Sequence, residues 1–200
     1  LTASEMLNTM RKSPTPTRAE VSDIANAVID GTDAIVISEE VALGKYSNRA
    51  LATALNVIND AETNLKNEAN WKEHKAEIFN EMTAIAHSAF LTTLRVEAKA
   101  VVCLTKGGLT ALELARYRMP VPIIAATFDE TVASRLALTR GVTPIVLNGQ
   151  PTLDNVIPNV NHLLKDTFHL FENEKYILVT VTLSPIGNVD SNLMTVQYVR

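Results

Sequence analysis

The chain of 200 residues lacks several features that would assign it to a specialised class of protein. It has one cysteine, Cys103, which excludes an internal disulfide framework and a cysteine-rich zinc site. Cys103 lies in the apolar run 100–104, where a buried and unreactive thiol is expected. The four histidines show no spacing typical of a metal site, so we expect them to be structural or surface residues and expect no metal site in this chain.

Charge and hydropathy exclude further classes. The formal net charge is −4, and nothing in the sequence suggests the basic face that nucleic-acid binding requires. No apolar run approaches the ~18–20 residues of a membrane span, and no signal peptide is visible. We therefore expect a soluble, cytoplasmic protein without nucleic-acid or membrane partners. The hydrophobic fraction of 46% is sufficient for a packed core.

The first ten residues resemble the inside of a folded element, without an initiator methionine or a polar lead-in. We expect the chain to be the C-terminal part of a longer protein. Thr17 and Glu20 then form a capping box that predicts a helix start near Ala19, and Gly31 suits the end of that helix. The apolar face of this helix follows the helical spacing at Val21, Ile24, Ala25 and Val28.

The run 34–38 is continuously apolar, which is typical of a strand buried on both faces of a parallel sheet. Ser47 is a candidate N-cap for the next helix. The apolar face predicted for that helix consists of Leu51, Ala54, Leu55 and Ile58. Residues 62–74 are polar and lose clear periodicity, so we place a domain boundary there and predict domains at 1–62 and 63–200.

Helices and strands alternate after this boundary. A long helix carries Ile78, Met82, Ile85 and Ala89 on one side. Strands are predicted at 100–104, 122–126, 143–147, 176–182 and 193–199, and helices at 110–117, 131–138 and 153–164. Pro158 should kink the last helix or delay its start. The alternation indicates an α/β fold with a mostly parallel sheet.

The loop between the predicted strand 100–104 and the next helix is the first candidate site. Thr105, Lys106, Gly107 and Gly108 offer a hydroxyl, an ammonium group and accessible backbone N–H groups, and Thr110 and Glu113 form a second capping box. This chemistry suits a phosphate, although the spacing is not that of a P-loop. A plain turn, with glycines required only by geometry, explains the same residues.

The second candidate site is Ser38, which ends the predicted strand 34–38, with Glu39 and Glu40, which follow it. α/β barrels place reactive groups at the carboxyl ends of their strands. A solvated acidic loop that caps the following helix is an equally good explanation. The loop 184–192, with Gly187 for its turn, has no Lys or Arg and is a poor anion site by itself.

The segment 16–33, read with the residues around it, resembles the signature of the pyruvate kinase family. Ser4-Glu5-Met6-Leu7 resembles the end of the seventh barrel strand, and 34–40 the eighth. The segment 104–118 and Arg140-Gly-Val-Thr-Pro144 resemble landmarks of the C-terminal domain. The resemblance covers the whole chain. It implies the last β/α units of a (β/α)8 barrel at 1–62 and a separate α/β effector and oligomerisation domain at 63–200.

The resemblance also implies a function. Pyruvate kinases are cytoplasmic glycolytic enzymes that transfer the phosphoryl group of phosphoenolpyruvate to ADP, giving pyruvate and ATP. They use Mg²⁺ and usually K⁺, and most are homotetramers under allosteric control. The lysine that contacts the transferred phosphate and the metal ligands lie on earlier barrel strands, outside this chain. Because phosphoryl transfer depends on those groups, we expect residues 1–200 alone to be inactive.

Three residues are implied at the rim of the active site, namely Ser4, Ser38 and Glu40. Ser4 stands where the family has a substrate-contacting threonine. The family often has Ser-Gly-Glu-Thr where this chain has Ser38-Glu39-Glu40-Val41. An inward-facing carboxylate at position 39 would repel phosphates, so we expect Glu39 to point away from the site.

The resemblance further implies an effector site. Thr105, Lys106 and Thr110 match the family's phosphate-binding loop, and Gly107 replaces a usual serine. The second effector loop aligns with Pro185–Asp190, including Gly187, and lacks the Trp and Arg that hold fructose 1,6-bisphosphate in animal enzymes. A sugar phosphate or a nucleotide monophosphate is the expected class of effector. The alternative to the enzyme is a stand-alone phosphometabolite-binding or oligomerisation module.

Overall fold

The computed structural model describes residues 1–3, 5–67, 80–148, 153–180 and 193–200. The chain divides into two units, Leu1–Lys72 and Glu73–Arg200. The elements of the first unit are β1 (Thr2–Ala3), a 3₁₀ turn (Asn8–Arg11), α1 (Arg18–Ile29), β2 (Ile35–Val36), α2 (Glu39–Ala42) and α3 (Ser47–Asn67). Helix α3 continues through the first part of the polar segment 62–74, and residues 68–79 lie outside the described part of the chain.

Helix α1 forms as its sequence predicts. The Thr17 hydroxyl accepts a hydrogen bond from the Glu20 N–H (3.3 Å), and a Glu20 carboxylate oxygen accepts one from the Thr17 N–H (2.7 Å). This capping box satisfies two of the N–H groups that a helix start leaves unpaired. Gly31 adopts φ 98° just after the helix, a conformation that glycine accepts without strain.

Strands β1 and β2 pair in parallel, with Thr2 opposite Ile35 and Ala3 opposite Val36. The strand predicted at 34–38 is therefore only two residues long. The expectation that it is buried on both faces is wrong within the described residues, because Val36 is 42% exposed. A fully apolar run shows that a strand can be buried, but neighbouring layers decide which of its faces are covered.

The apolar face of α3 also differs from the prediction. Of the predicted face, Ala54 is buried and Ile58 packs against the same core, which confirms these two positions. The predicted Leu51 and Leu55 are instead 47% and 50% exposed, and the helix also buries Ala50 and Ala61. Alanine lets the α3 backbone approach α1 closely, and the shared core is formed with Met6, Leu7, Met10 and Ile24. The helix begins at Ser47 itself, so Ser47 is not its N-cap.

The second unit contains a five-stranded sheet in the order β5–β4–β3–β6–β7. Its elements are α4 (Glu81–Val96), β3 (Ala100–Leu104), α5 (Leu109–Ala115), β4 (Ile123–Thr127), α6 (Glu130–Leu136), β5 (Val142–Val146), α7 (Leu153–Asp166), β6 (Lys175–Thr180) and β7 (Leu193–Tyr198). All neighbouring strands are parallel except β6 and β7, which confirms the predicted mostly parallel sheet.

Helices cover both faces of this sheet. One apolar cluster joins α4, α5 and α6 to the face that carries Val101, Cys103 and Ile177. The other joins α7 to the face that carries Val102 and Leu178. Cys103 is fully buried, and loss of hydration raises the pKa of its thiol to about 12, as expected for an unreactive cysteine.

Two prolines have different structural effects. Pro144 lies in β5, which is an edge strand of the sheet, where the missing N–H is tolerated. Pro158 lies inside α7, and the helix begins at Leu153, so the proline does not delay its start. Because proline has no backbone N–H, α7 lacks the one hydrogen bond that another residue at position 158 would donate within the helix.

Candidate functional sites at the carboxyl edges of the two sheets

The first candidate site lies where β1 and β2 end. The carboxyl ends of parallel strands meet at one edge, so the segment after β1 and the segment 37–44 start side by side. Ser38 is exposed there, and its hydroxyl makes no capping hydrogen bond to α2. The Ser38 hydroxyl is therefore a polar group available at this edge. Ser4 lies outside the described residues.

Glu40 occupies a different environment from Ser38. It is only 3% exposed, and its two carboxylate oxygens accept hydrogen bonds from the backbone N–H groups of Leu7 (3.1 Å) and Ser38 (3.0 Å). Burial alone would raise the pKa of Glu40, but these hydrogen bonds and the positive charge of Arg11 lower it below its usual range. The ionised carboxylate of Glu40 therefore joins the two loops through hydrogen bonds. This buried position excludes the interpretation of Glu40 as part of a solvated acidic loop.

Arg11 is a component of this edge that the sequence did not reveal. It ends the 3₁₀ turn, and its guanidinium pairs with the carboxylate of Glu39, the first residue of α2. No local spacing indicates this pair, because its two members follow different strands. The register of β1 with β2 is the signal that could have suggested it.

The two loops also approach through their backbones. The Lys45 N–H donates to the Arg11 carbonyl oxygen (3.0 Å). A Cβ at position 44 would collide with the Glu40 carbonyl oxygen and lie 3.4 Å from the Arg11 Cα. Glycine at position 44 thus permits the chain to pass close to the Glu40 carbonyl oxygen within the segment after β2.

The second candidate site follows from the strand order of the five-stranded sheet. From β3 the chain proceeds through β4 to β5 in one direction, then crosses back to β6 on the other side of β3. The connections after β3 and β6 therefore lead in opposite directions. Open α/β sheets bind ligands in the crevice outside the carboxyl ends at such a switch point. The loop 105–110 follows β3 at this position.

The loop after β3 combines buried and exposed polar groups. Thr105 is buried, and its hydroxyl accepts a hydrogen bond from the Gly108 N–H (2.9 Å). Lys106 and Gly107 are exposed, whereas Thr110 is 4% exposed inside the first turn of α5. Thr105 therefore shapes the loop, and Lys106 is the exposed cation at its tip.

The predicted capping box of Thr110 and Glu113 does not form. Gly108 is the N-cap of α5 with φ 93°, so the helix starts before Thr110, and the Glu113 carboxylate pairs with Arg116 (3.0 Å) instead. Gly108 adopts a left-handed conformation that glycine accepts without strain, and the helix therefore starts at Leu109, before the position that the capping motif predicts. The second predicted effector loop, with Pro185 and Gly187, lies outside the described residues.

Two of the histidines contact neighbouring side chains. The His87 ring packs against that of Tyr117 with centroids 5.7 Å apart, and His162 pairs with Asp166 on α7. His74 lies outside the described part of the chain. Where the structure is described, no helix is long and apolar enough to cross a membrane.

Comparisons with known proteins bear on both sites. Residues 83–197 match the family model described as "Pyruvate kinase, alpha/beta domain", and residues 1–51 match "Pyruvate kinase, barrel domain". Both candidate sites lie within the matched ranges.

Individual relatives agree with the family models. The chain is 36% identical over 204 residues to a pyruvate kinase of Clostridium acetobutylicum, covering 100% of this chain and 42% of the relative. It is 32% identical to one of Bacillus licheniformis, covering 100% and 34%. The chain therefore spans less than half the length of these relatives.

Solved structures give the same result. A crystal structure of a pyruvate kinase from Cryptosporidium parvum matches with a TM-score of 0.84 at 32% identity, covering 99% of this chain and 39% of that one. A Cryptosporidium parvum pyruvate kinase in complex with ADP matches with a TM-score of 0.78 at 33% identity, covering 99% and 40%.

Proposed function

The chain belongs to the pyruvate kinase family, and we propose that it is the C-terminal part of an enzyme that transfers the phosphoryl group of phosphoenolpyruvate to ADP, giving pyruvate and ATP. The observation that carries this proposal is the match of the chain to both family domains in the family's order. In this proposal, residues 1–62 are the end of the catalytic barrel. Residues 63–200 are the effector and oligomerisation domain of a cytoplasmic homotetramer.

The first site would supply one rim of the active site. We assign substrate contact to the Ser38 hydroxyl, since it is exposed at the carboxyl edge, and to Ser4 by family resemblance. Glu40 acts as a positioning residue, because both of its oxygens bind backbone N–H groups and one of these belongs to Ser38. The similarity to a pyruvate kinase solved with ADP supports ADP as the phosphoryl acceptor.

Mg²⁺ and K⁺ belong to the intact enzyme in this proposal. No group of three His, Cys, Asp or Glu side chains that could hold a metal ion occurs among the residues that the structure describes. We therefore assign the Mg²⁺ and K⁺ ligands to the part of the enzyme outside this chain. What the described residues supply is the Ser38 hydroxyl, on a residue whose backbone N–H donates to the buried carboxylate of Glu40.

The reaction is tested by comparing two proteins in a coupled assay with phosphoenolpyruvate, ADP, Mg²⁺ and K⁺. We expect the 200-residue chain to show no turnover, because phosphoryl transfer depends on positioned metals and cations. We expect the product of the complete reading frame to be active. Turnover by the short chain above contaminant level would refute the first expectation, and an inactive complete protein would refute the proposed function.

The loop 105–110 would bind a phosphate group of a regulatory metabolite. Its place at the topological switch point supports this role, as does the exposed ammonium group of Lys106. The effector class remains a sugar phosphate or a nucleotide monophosphate. Pro185 and Gly187 belong to this proposal through the family resemblance alone.

Thermal-shift titration with fructose 1,6-bisphosphate and with AMP tests the effector site. We expect Lys106→Ala to abolish the stabilisation that either ligand gives to the wild-type chain. Lys99→Ala is the matched control, because Lys99 is also exposed but precedes β3, at the opposite edge of the sheet. Equal loss in both variants would contradict a site at the loop. No shift with any phosphate ligand would favour an oligomerisation module.

A further inference from the structure

The ion pair between Arg11 and Glu39 joins the two loops that follow β1 and β2. The Arg11 side chain is 36% exposed and that of Glu39 is 57% exposed, and the contact runs from Nη1 to Oε2 at 2.5 Å. Both residues belong to the carboxyl edge that also carries Ser38. The pair therefore brings one positive and one negative charge to the proposed active-site rim.

Stability alone does not explain this pair. Exposed ion pairs contribute little to folding, because solvent screens the attraction and two long side chains lose freedom. The same loops are already joined by Glu40, which binds the Leu7 and Ser38 N–H groups, and by the backbone hydrogen bond from Lys45 to Arg11. The loops thus have connections that do not use the Arg11 guanidinium.

The charges at this edge suggest another role. Glu5 is an exposed carboxylate after β1, and Glu39 is an exposed carboxylate at the start of α2. The substrates of the proposed reaction carry several negative charges, so each uncompensated carboxylate here would repel them. Arg11 is positioned to cancel one of these charges, since its guanidinium contacts Glu39 and its field also reaches Glu40.

We propose that Arg11 is a positioning residue that holds the Glu39 carboxylate and cancels its charge, so that the rim accepts phosphate-bearing substrates. This inference rests on the proposed function. It makes the effect of Arg11 conditional on Glu39, because without the carboxylate there is no charge to cancel. If the pair only held the loops together, losing either partner would impair the enzyme, and removing both would not restore it.

The test uses the complete protein and the steady-state kinetics of phosphoenolpyruvate. We expect Arg11→Ala to raise KM by about three- to tenfold, the scale of screened charge repulsion near a protein surface, with kcat changed less than about twofold. The increase should shrink at high ionic strength. The double variant Arg11→Ala/Glu39→Gln should restore the wild-type KM.

Two further variants make the test specific. Lys12→Ala removes the same charge from the neighbouring exposed position, and its KM should stay within about twofold of the wild type. Glu39→Gln alone keeps Arg11 and should leave KM unchanged or lower. This second variant tests the inference even if Arg11→Ala fails to fold.

Three results would overturn the inference in an active protein. They are an unchanged KM in Arg11→Ala, a double variant as impaired as Arg11→Ala, and a raised KM in Glu39→Gln. An inactive wild-type protein would instead refute the proposed function, and the inference with it. The two failures are therefore distinguishable by the wild-type control.

Discussion

The two units of the chain are stabilised in different ways. In Glu73–Arg200, strands β3 and β4 are buried along their whole length, and the strand ladder satisfies their backbone groups. In Leu1–Lys72, the paired strands are only two residues long. Two largely buried glutamates, Glu20 and Glu40, instead accept hydrogen bonds from backbone N–H groups of the loops. The difference predicts that apolar packing dominates stability in the second unit and that buried carboxylates are critical in the first.

The largest effect is expected from Leu114→Ala in the second unit. Leu114 is fully buried in α5, so truncation should cost about 2–5 kcal/mol of unfolding free energy through lost packing and the cavity left behind. Leu112→Ala in the same helix is the control, because Leu112 is 44% exposed and should cost less than about 1 kcal/mol. Urea denaturation monitored by circular dichroism measures the unfolding free energy of both variants. Equal losses in the two variants would contradict the view that apolar packing dominates the stability of this unit.

An intermediate effect is expected from Glu40→Gln in the first unit. Glutamine has one acceptor oxygen where the carboxylate uses two, so one of the Leu7 and Ser38 N–H groups loses its partner, at a cost of about 1–3 kcal/mol. Hydrogen exchange should show lost protection at these two amides. The control is Glu39→Gln, one residue earlier and exposed, which should leave the Leu7 and Ser38 amides protected. An equal loss of protection at these amides in the control would contradict the role of Glu40 in joining the loops.

The smallest effect is expected from mild acid. Burial would raise the pKa of Glu20, but hydrogen bonds from the Thr9 and Thr17 N–H groups lower it, as other backbone N–H groups do for Glu40. A carboxyl whose pKa is lower in the folded than in the unfolded state stabilises the fold fully at pH values above its unfolded pKa, about 4.3. This contribution is lost as the pH falls below that pKa. Local stability of the first unit should thus be constant from pH 8 to about 5.5 and decline below about 4.3.

Hydrogen exchange at the Leu7 and Thr9 amides, corrected for intrinsic rates, measures this decline. The second unit also has a carboxyl of lowered pKa, Asp129, which accepts hydrogen bonds from the Thr131 and Val132 N–H groups. Asp129 is exposed, so its contribution should be smaller. If lowering the pH removed the protection of the β3 amides before that of the Leu7 amide, the second unit would be the more acid-sensitive, contrary to this prediction.

The sequence predicted the features that depend on short-range rules. The capping box of α1 lies within four residues, and the alternation of strands and helices in the second unit follows from hydrophobic periodicity. These features require no knowledge of which segments are neighbours in space.

The features that were missed depend on tertiary neighbours. The predicted face of α3 held Ala54 together with Leu51 and Leu55, and only the packing of the helix shows that Ala54 is buried while the two leucines are exposed. The contacts of Glu40 with Leu7 and of Arg11 with Glu39 depend on the register of β1 with β2. Hydrophobic patterns do not encode that register.

The close approach at Gly44 constrains how this region can change over evolutionary time. A side chain at position 44 would collide with the Glu40 carbonyl oxygen, so any substitution must first move the backbone at Glu40 or at position 44. Gly107, which has no neighbouring atom within 4 Å of a Cβ, faces no such barrier. Among descendants of this sequence, position 107 can change from one residue to another, whereas position 44 should stay glycine as long as the chain after α2 keeps its present path past the Glu40 carbonyl group.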